Sequence, residues 1–198
     1  MSTTDRDRWN AKYSKVRSSV NCSGDEWLLE ACETIAQSTS ASTTAGRAID
    51  LACGRGQNAI WLAQHGWKVD GVDISPEGLN MAHKSAAQSR CSVCWIEADL
   101  DDWLPPPAAY DLAIVFRFLD RVTIPRIVTT GVRPGGWLIY ETFSAGQLQR
   151  PENHIGNPAF TLTPGELPVL FPGFEVINYH EACLANRTVQ RLLAQRLS

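Results

Sequence analysis

The stretch of this sequence best suited to chemistry is Asp50-Leu51-Ala52-Cys53-Gly54-Arg55-Gly56-Gln57-Asn58, where two close glycines follow an acid. It joins a short apolar run, RAIDLAC, to a helical pattern, NAIWLAQHG. Glycine there lets the chain turn tightly and lets a ligand approach the backbone, at the sheet edge where α/β folds bind nucleotides. At the end of a second apolar run stands Asp73, whose carboxylate can accept hydrogen bonds from both hydroxyls of a ribose. Asp99 closes a third run, in Ile96-Glu97-Ala98-Asp99-Leu100. Taken singly, each has a plainer use. Gly54 and Gly56 make a tight turn, Asp50 accepts from the loop's own amides, and Asp73 and Asp99 cap helices or sit in solvated turns. Their joint order at three consecutive strand ends points to a nucleotide-bearing cofactor.

Such residues need a frame that brings strand ends together. From Arg47 onward the chain alternates apolar runs with helical patterns: RAIDLAC, NAIWLAQHG, WKVDGVDI, PEGLNMAHKSAAQ, SVCWIEADL. That alternation marks a parallel sheet with crossover helices on its faces. Gly66 sits where a helix stops, and Ser75-Pro76 where the next begins. YDLAIVF and WLIYETF add two strands, the second fed by a Pro134-Gly135-Gly136 turn, with a short apolar segment around 124–132 between them. FEVINYHEAC and TVQRLLAQRL, separated by LANR, read as an antiparallel hairpin on the sheet edge. The expected fold class is therefore α/β: a Rossmann-like, seven-stranded, mostly parallel sheet with helices on both faces and an antiparallel C-terminal hairpin. Before it, Ser23 and Glu26 have capping-box spacing, and Trp27, Ala31 and Ile35 recur on one helix face ahead of the polar connection QSTSASTTAG. Between Ser144 and Thr163 a long Gly/Pro/Asn-containing loop reads as a functional lid, followed by a short helix started by Thr163, Pro164 and Glu166.

Composition narrows the function classes. With 198 residues, 44% hydrophobic and 20% charged, the chain is an ordinary globular protein rather than a disordered or fibrous one. We expect one domain over 1–198: an N-terminal helical cap and linker (1–45), a cofactor-binding half (46–143), and a substrate loop with the hairpin (144–198). A formal charge of -3 with no basic block disfavours nucleic acid as a partner. No apolar stretch approaches a membrane span, and the opening residues lack the apolar core of a secretory signal, so a cytoplasmic protein without a membrane partner is expected. The six cysteines lie in core-like segments and suit reduced, buried thiols. Cys91-x-x-Cys94, without a second pair, reads as strand packing ahead of metal or redox chemistry, and no metal is expected.

The order of acids and glycines resembles class I S-adenosylmethionine-dependent methyltransferases from about Arg47 to the end of the chain. In that family an acidic-x-G-x-G-x-G loop meets the amino-acid part of the cofactor, an acid after strand two holds the ribose, and an acid after strand three meets the adenine. Asp50, Gly54 and Gly56 match the loop, Asp73 and Asp99 the later acids, and Ala52 departs from the pattern where glycine is usual. Arg8-Trp9-Asn10-x-Lys12-Tyr13, the Asp50–Asn58 phrase and Arg133-Pro134-Gly135-Gly136-x-Leu138-Ile139-x-Glu141-Thr142-Phe143 are similar to the tellurite-resistance-like branch of small-molecule and thiol methyltransferases. The resemblance implies S-adenosyl-L-methionine as cofactor, leaving S-adenosyl-L-homocysteine. It implies cofactor contacts from Asp50, Ala52, Gly54, Gly56, Asn58, Asp73, Ile74, Asp99, Leu100 and Phe116. It also implies that a helix carrying Trp9 and Tyr13 folds over the cofactor, although the same two side chains would serve equally to anchor that helix to the core.

Methyl transfer from a sulfonium is an in-line displacement, so the protein's main task is alignment. A soft anion or thiolate acceptor needs no base, whereas a hydroxyl or amine does. The expected substrate wall follows strands four and five: Phe116, Arg117 and Asp120, then Glu141 and Phe143, with His154, Asn157 and Phe160 from the long loop. Arg117, Glu141 and His154 are the candidate catalytic residues. Arg117 would anchor an anion, or else form a salt bridge with Asp120 or Glu141, and His154 would act as base, or else lie solvated. The expected acceptor is a chalcogen oxyanion, thiol or small metabolite, and the protein a monomer or homodimer. Two alternatives stay open: a nicotinamide-dependent oxidoreductase, because Gly54 to Ala59 fits G-x-G-x-x-A, and a non-catalytic S-adenosylmethionine-binding protein. Against the former, none of the four tyrosines is followed by a lysine four positions later.

Overall fold

The computed structural model describes residues 3–16, 22–38, 46–151 and 153–198, so most of the polar connection after residue 38 lies outside the described residues. Two compact units make up the chain, Met1–Leu104 and Pro105–Ser198. The first holds α1 (Thr3–Ser14), α2 (Glu26–Ser38), β1 (Arg47–Leu51), α3 (Gln57–Gln64), β2 (Lys68–Asp73), α4 (Pro76–Gln88) and β3 (Cys94–Glu97). The second holds β4 (Tyr110–Phe116), α5 (Thr123–Gly131), β5 (Val132–Phe143), two single 3-10 turns (Ala145–Gln149 and Pro158–Phe160), α6 (Glu166–Val169), β6 (Phe174–Cys183) and β7 (Thr188–Arg196). The seven strands follow the order β3-β2-β1-β4-β5-β7-β6. Ladders β1–β2, β2–β3 and β4–β5 are parallel, and β5–β7 and β7–β6 antiparallel, which is the expected fold class.

Burial explains why these runs are strands. β1 is buried beyond Arg47 and β2 beyond Lys68, as befits parallel strands covered on both faces. In the second unit Leu112 to Val115, Leu138 to Tyr140 and Leu192 to Ala194 build the core. Chain punctuation works as the sequence predicts at α4, where Ser75 caps by accepting from the Gly78 amide at 3.1 Å and Pro76 occupies the first turn. Gly66, at φ +89°, ends α3.

Local differences have physical reasons. Helix α2 starts after Asp25 rather than Ser23, because Leu29 N–H donates to the Asp25 carbonyl and Asn58 fixes the Asp25 amide. Its buried stripe is the predicted one, Trp27, Ala31 and Ile35, with Leu28 added. Pro134-Gly135-Gly136 does not precede a strand but bulges within one: pairing steps from Tyr110↔Val132 to Leu112↔Trp137, with Gly135 at φ +74°. Helix α6 begins at Glu166, leaving Thr163 and Pro164 outside; Gly165 at φ +74° is its N-cap, and both Thr163 N–H and Oγ1–H donate to Glu166 at 2.8 Å. The 144–163 loop is pinned at its base, where Ala145 N–H donates to Leu162 and Leu162 N–H to Phe143. Arg121 reinforces its C-terminal part through the carbonyls of Ala159 and Thr161.

Candidate functional site

In the first unit the site is built on the β1–α3 connection. Ala52, Gly54 and Gly56 are all left-handed, at φ +55°, +56° and +74°, and the tight loop is held by its own amides: Cys53 N–H donates to the Val72 carbonyl, Gly54 N–H to Asp73 and Gly56 N–H to the Cys53 carbonyl. Ala52 takes up the conformation that glycine would supply without strain. Asp73, at the end of β2, ties this loop to the next: its two oxygens accept from Gly54 N–H at 2.7 Å and Ser75 N–H at 2.8 Å. Burial pushes the Asp73 carboxyl above the usual carboxylate range, while the amides of Ser75, Gly54 and Ile74 pull it back. Cys53, within the loop, has its thiol pushed up by burial and by the negative charges of Asp50 and Asp73.

Helix α1 lies on that loop. The Tyr13 hydroxyl is 2.5 Å from where a Cβ on Gly54 would stand, and its ring is 3.0 Å from the equivalent point on Gly78. Both glycines are therefore required for the approach of Tyr13. Trp9 stacks on Tyr13 with centroids 5.8 Å apart, and Lys12 Nζ sits 4.2 Å from the Trp9 ring centre. Ser75 Oγ–H donates to Asn10 Oδ1 at 2.5 Å. Asn10 and Gly78 had no role in the sequence reading, although Asn10 belongs to the N-terminal motif quoted there. On the far side, a Cβ on Gly56 would overlap the Trp95 indole and come within 2.9 Å of Ala82.

The remaining cofactor candidates of this unit divide. Asp50, Ile74 and Leu100 are buried around the strand ends. Asp99 is half-buried and accepts from Asp101 N–H at 3.0 Å, the turn-capping use anticipated as its plainer role. Asn58, a further candidate, has its side chain engaged elsewhere in the unit: its Oδ1 accepts from Asp25 N–H and its Nδ2 donates to Asp25 Oδ2, both at 2.9 Å, which braces the start of α2.

In the second unit, Phe116 is buried at the end of β4 and is followed by Arg117 in a left-handed conformation (φ +57°). A non-glycine residue held there is strained. Its amide donates to the Glu141 carbonyl at 2.8 Å, and its guanidinium lies 6.0 Å from the Phe116 ring centre. Fully buried Glu141 accepts from Arg187 Nε at 3.1 Å and Arg191 Nε at 2.9 Å. Glu141, a catalytic candidate from its place at the end of the strand, thus has both carboxylate oxygens engaged by guanidinium groups. Arg187 closes the turn just ahead of β7 and Arg191 lies within it, and only the register Glu141↔Arg191 brings them to the acid. Asp120 Oδ1 caps α5 through the amides of Val122 and Thr123, and Asn157 caps the second 3-10 turn. His154 is exposed and meets Phe143 edge-on at 5.4 Å. Among the described residues no cluster of three metal-ligating side chains forms, and no helix is long and apolar enough to cross a membrane.

Residues 48–136 match the family described as a methyltransferase domain. A ubiquinone biosynthesis O-methyltransferase of Paraburkholderia phymatum is 31% identical over 109 residues, covering 52% of this chain and 47% of that protein. The chain thus spans about half the length of the curated relatives it matches. Among solved structures, magnesium protoporphyrin IX methyltransferase from Synechocystis, with bound S-adenosylhomocysteine, superposes with a TM-score of 0.69 at 19% identity, covering 98% of this chain and 94% of the other. TehB from Haemophilus influenzae gives 0.63 at 18%, covering 96% and 66%. Both likenesses are of fold.

Proposed function

With residues 48–136 matching a methyltransferase domain, we propose that this chain transfers a methyl group from S-adenosyl-L-methionine to a small nucleophile, leaving S-adenosyl-L-homocysteine. The observation that carries the reading is the Gly54–Asp73 hydrogen bond, which joins the left-handed glycine loop to the acid of the second strand. A carboxylate has about four lone-pair positions, and two amides use only part of them. Asp73 keeps the capacity to accept from ribose hydroxyls while it shapes the loop. Gly54 and Gly56 would admit the amino-acid end of the cofactor to the backbone, Asp99 would meet the base, and Trp9 and Tyr13 would cover the whole.

When bound, the sulfonium supplies an electrophilic methyl group. The chain's own contribution is to orient the two reactants and keep water out, which supplies several kcal/mol without proton transfer when the acceptor is a thiolate or oxyanion. A chalcogen oxyanion or thiol is the acceptor class we favour, supported by the N-terminal motif whose Asn10 and Tyr13 hold the loop. A hydroxyl acceptor is the second reading, supported by the relatives described as ubiquinone biosynthesis O-methyltransferases. It calls for a base, and exposed His154 is the candidate, since Glu141 is held by two arginines. Arg117 would then orient an anionic group.

Calorimetric titration with S-adenosylmethionine tests the premise. We expect stoichiometric micromolar binding by the wild type and at least tenfold weaker binding by Asp73→Ala, followed by turnover with tellurite, selenite or a thiol. Equal affinity in Asp73→Ala refutes the ribose assignment. Methylation of RNA or protein alone refutes the small-molecule acceptor.

A further inference from the structure

Neither the Cys91-x-x-Cys94 pair nor Cys22 takes part in the site described above. The two motif cysteines do not face one another. Cys94 opens β3 beside Asp70 and Arg47, whereas the Cys91 thiol contacts the Ala86 carbonyl at the end of α4 at 3.8 Å. Residues 91–93 run into β3 without a turn, and Cα atoms three extended residues apart are separated by about 10 Å. A disulfide tolerates less than about 7 Å. The neighbour of Cys91 comes from elsewhere in the chain. Cys22, just ahead of α2, places its Sγ 3.7 Å from Ser89 Oγ, two residues before Cys91. That contact puts Cys22 at the corner where α4 ends and Cys91 follows, and Cys22 adds to the larger effect of burial in raising the Cys91 thiol. Both side chains are part-exposed, which leaves them open to a soluble oxidant.

We propose that Cys22 and Cys91 are a thiol pair that closes to a disulfide under oxidising conditions, tying the chain ahead of α2 to the chain after α4. With glutathione disulfide as oxidant, one cysteine thiolate attacks it, forming a mixed disulfide and expelling one glutathione thiolate. The other cysteine thiolate attacks the protein sulfur of that bond, forming the Cys22–Cys91 S–S bond and expelling the second glutathione. Two protons pass from the protein thiols to the two glutathiones, the protein loses two electrons, and glutathione disulfide gains them. The bond would thus join the start of α2 to the end of α4, the helix on which α1 rests through Tyr13 and Gly78.

The test is oxidation of the full chain with glutathione disulfide, followed by alkylation, peptide mapping and thermal melting. The expected result is a peptide pair joined through Cys22 and Cys91, lost in Cys22→Ser and in Cys91→Ser and retained in Cys94→Ser. The melting temperature of the oxidised wild type should rise by roughly 5–10 °C. A Cys91–Cys94 bond, or glutathione on Cys22 and Cys91 without a bond between them, overturns the proposal. Loss of S-adenosylmethionine binding would leave this result unaffected, so the two proposals fail separately.

Discussion

Replacing Glu141 with glutamine keeps the shape of the side chain and removes the negative charge that Arg187 and Arg191 share. Arg191 is only 4% exposed and Arg187 19%, so water can make up little of what the first loses while the second retains partial contact with it. Taking one partner from a buried pair costs about 3–5 kcal/mol, and the partial solvation of Arg187 places this case near 3 kcal/mol. For a chain of this length that corresponds to a fall in Tm of about 10 °C. Urea unfolding followed by tryptophan fluorescence reads the change as a lower midpoint at unchanged slope. A second variant separates charge from packing: Glu141→Leu combined with Arg191→Leu removes acid and base together and should recover at least half of the loss. A Glu141→Gln protein within 1 kcal/mol of wild type would refute the reasoning. So would a normal Tm with a lowered kcat, because Glu141 would then be acting on the reaction and not on the fold.

Three other perturbations follow from the same geometry. Asn58→Ala removes both hydrogen bonds to buried Asp25 and should cost about 2–3 kcal/mol in urea unfolding, while the affinity of folded protein for S-adenosylmethionine changes less than twofold; a tenfold loss of affinity would restore Asn58 to the cofactor site. Ala52→Gly relieves a left-handed alanine, worth about 1–2 kcal/mol, against about 0.4–1 kcal/mol for the freer unfolded chain, so a net gain of about 0.5–1 kcal/mol is expected and a loss would contradict it. Hydrogen bonding from Arg121 holds the Glu166 carboxyl at about 2, below its ordinary 4.5. This depressed group stabilises the fold above pH 4.5, and that stability is lost as pH falls toward about 2. Because Arg121 is 38% exposed, solvent reduces the effect to about 1 kcal/mol. Arg121→Gln should therefore flatten the acid limb of the urea midpoint between pH 4.5 and 2, and an unchanged limb would show that the pair contributes nothing.

Much of the frame was legible because its signals are local. The C-terminal hairpin falls at FEVINYHEAC and TVQRLLAQR with LANR between, since apolar runs broken by a polar turn need no distant partner to be recognised. The start of α4 was equally plain, because Ser75 and Pro76 act on their own helix. The start of α2 was not. Ser23 and Glu26 satisfy a local rule, but Asn58, from another helix, holds Asp25 and makes that residue the first turn's anchor. Local rules also split Pro134-Gly135-Gly136 from the strand, whereas pairing with β4 carries the strand across them.

The same division runs through the candidate site. Sequence by itself determined the alternating sheet, the glycine loop and the acids Asp73 and Asp99 at strand ends, because turn conformation and strand-end position are properties of a few consecutive residues. Tertiary structure decided what each polar group spends its hydrogen bonds on: Asp73 on Gly54 and Ser75, Asn58 on Asp25, Asn10 on Ser75, and Glu141 on Arg187 and Arg191. Apart from the local Asp73–Ser75 bond, those partners lie many residues apart and meet through strand register and helix packing, and an unpaired buried charge is costly enough that whichever partner the fold supplies determines the role.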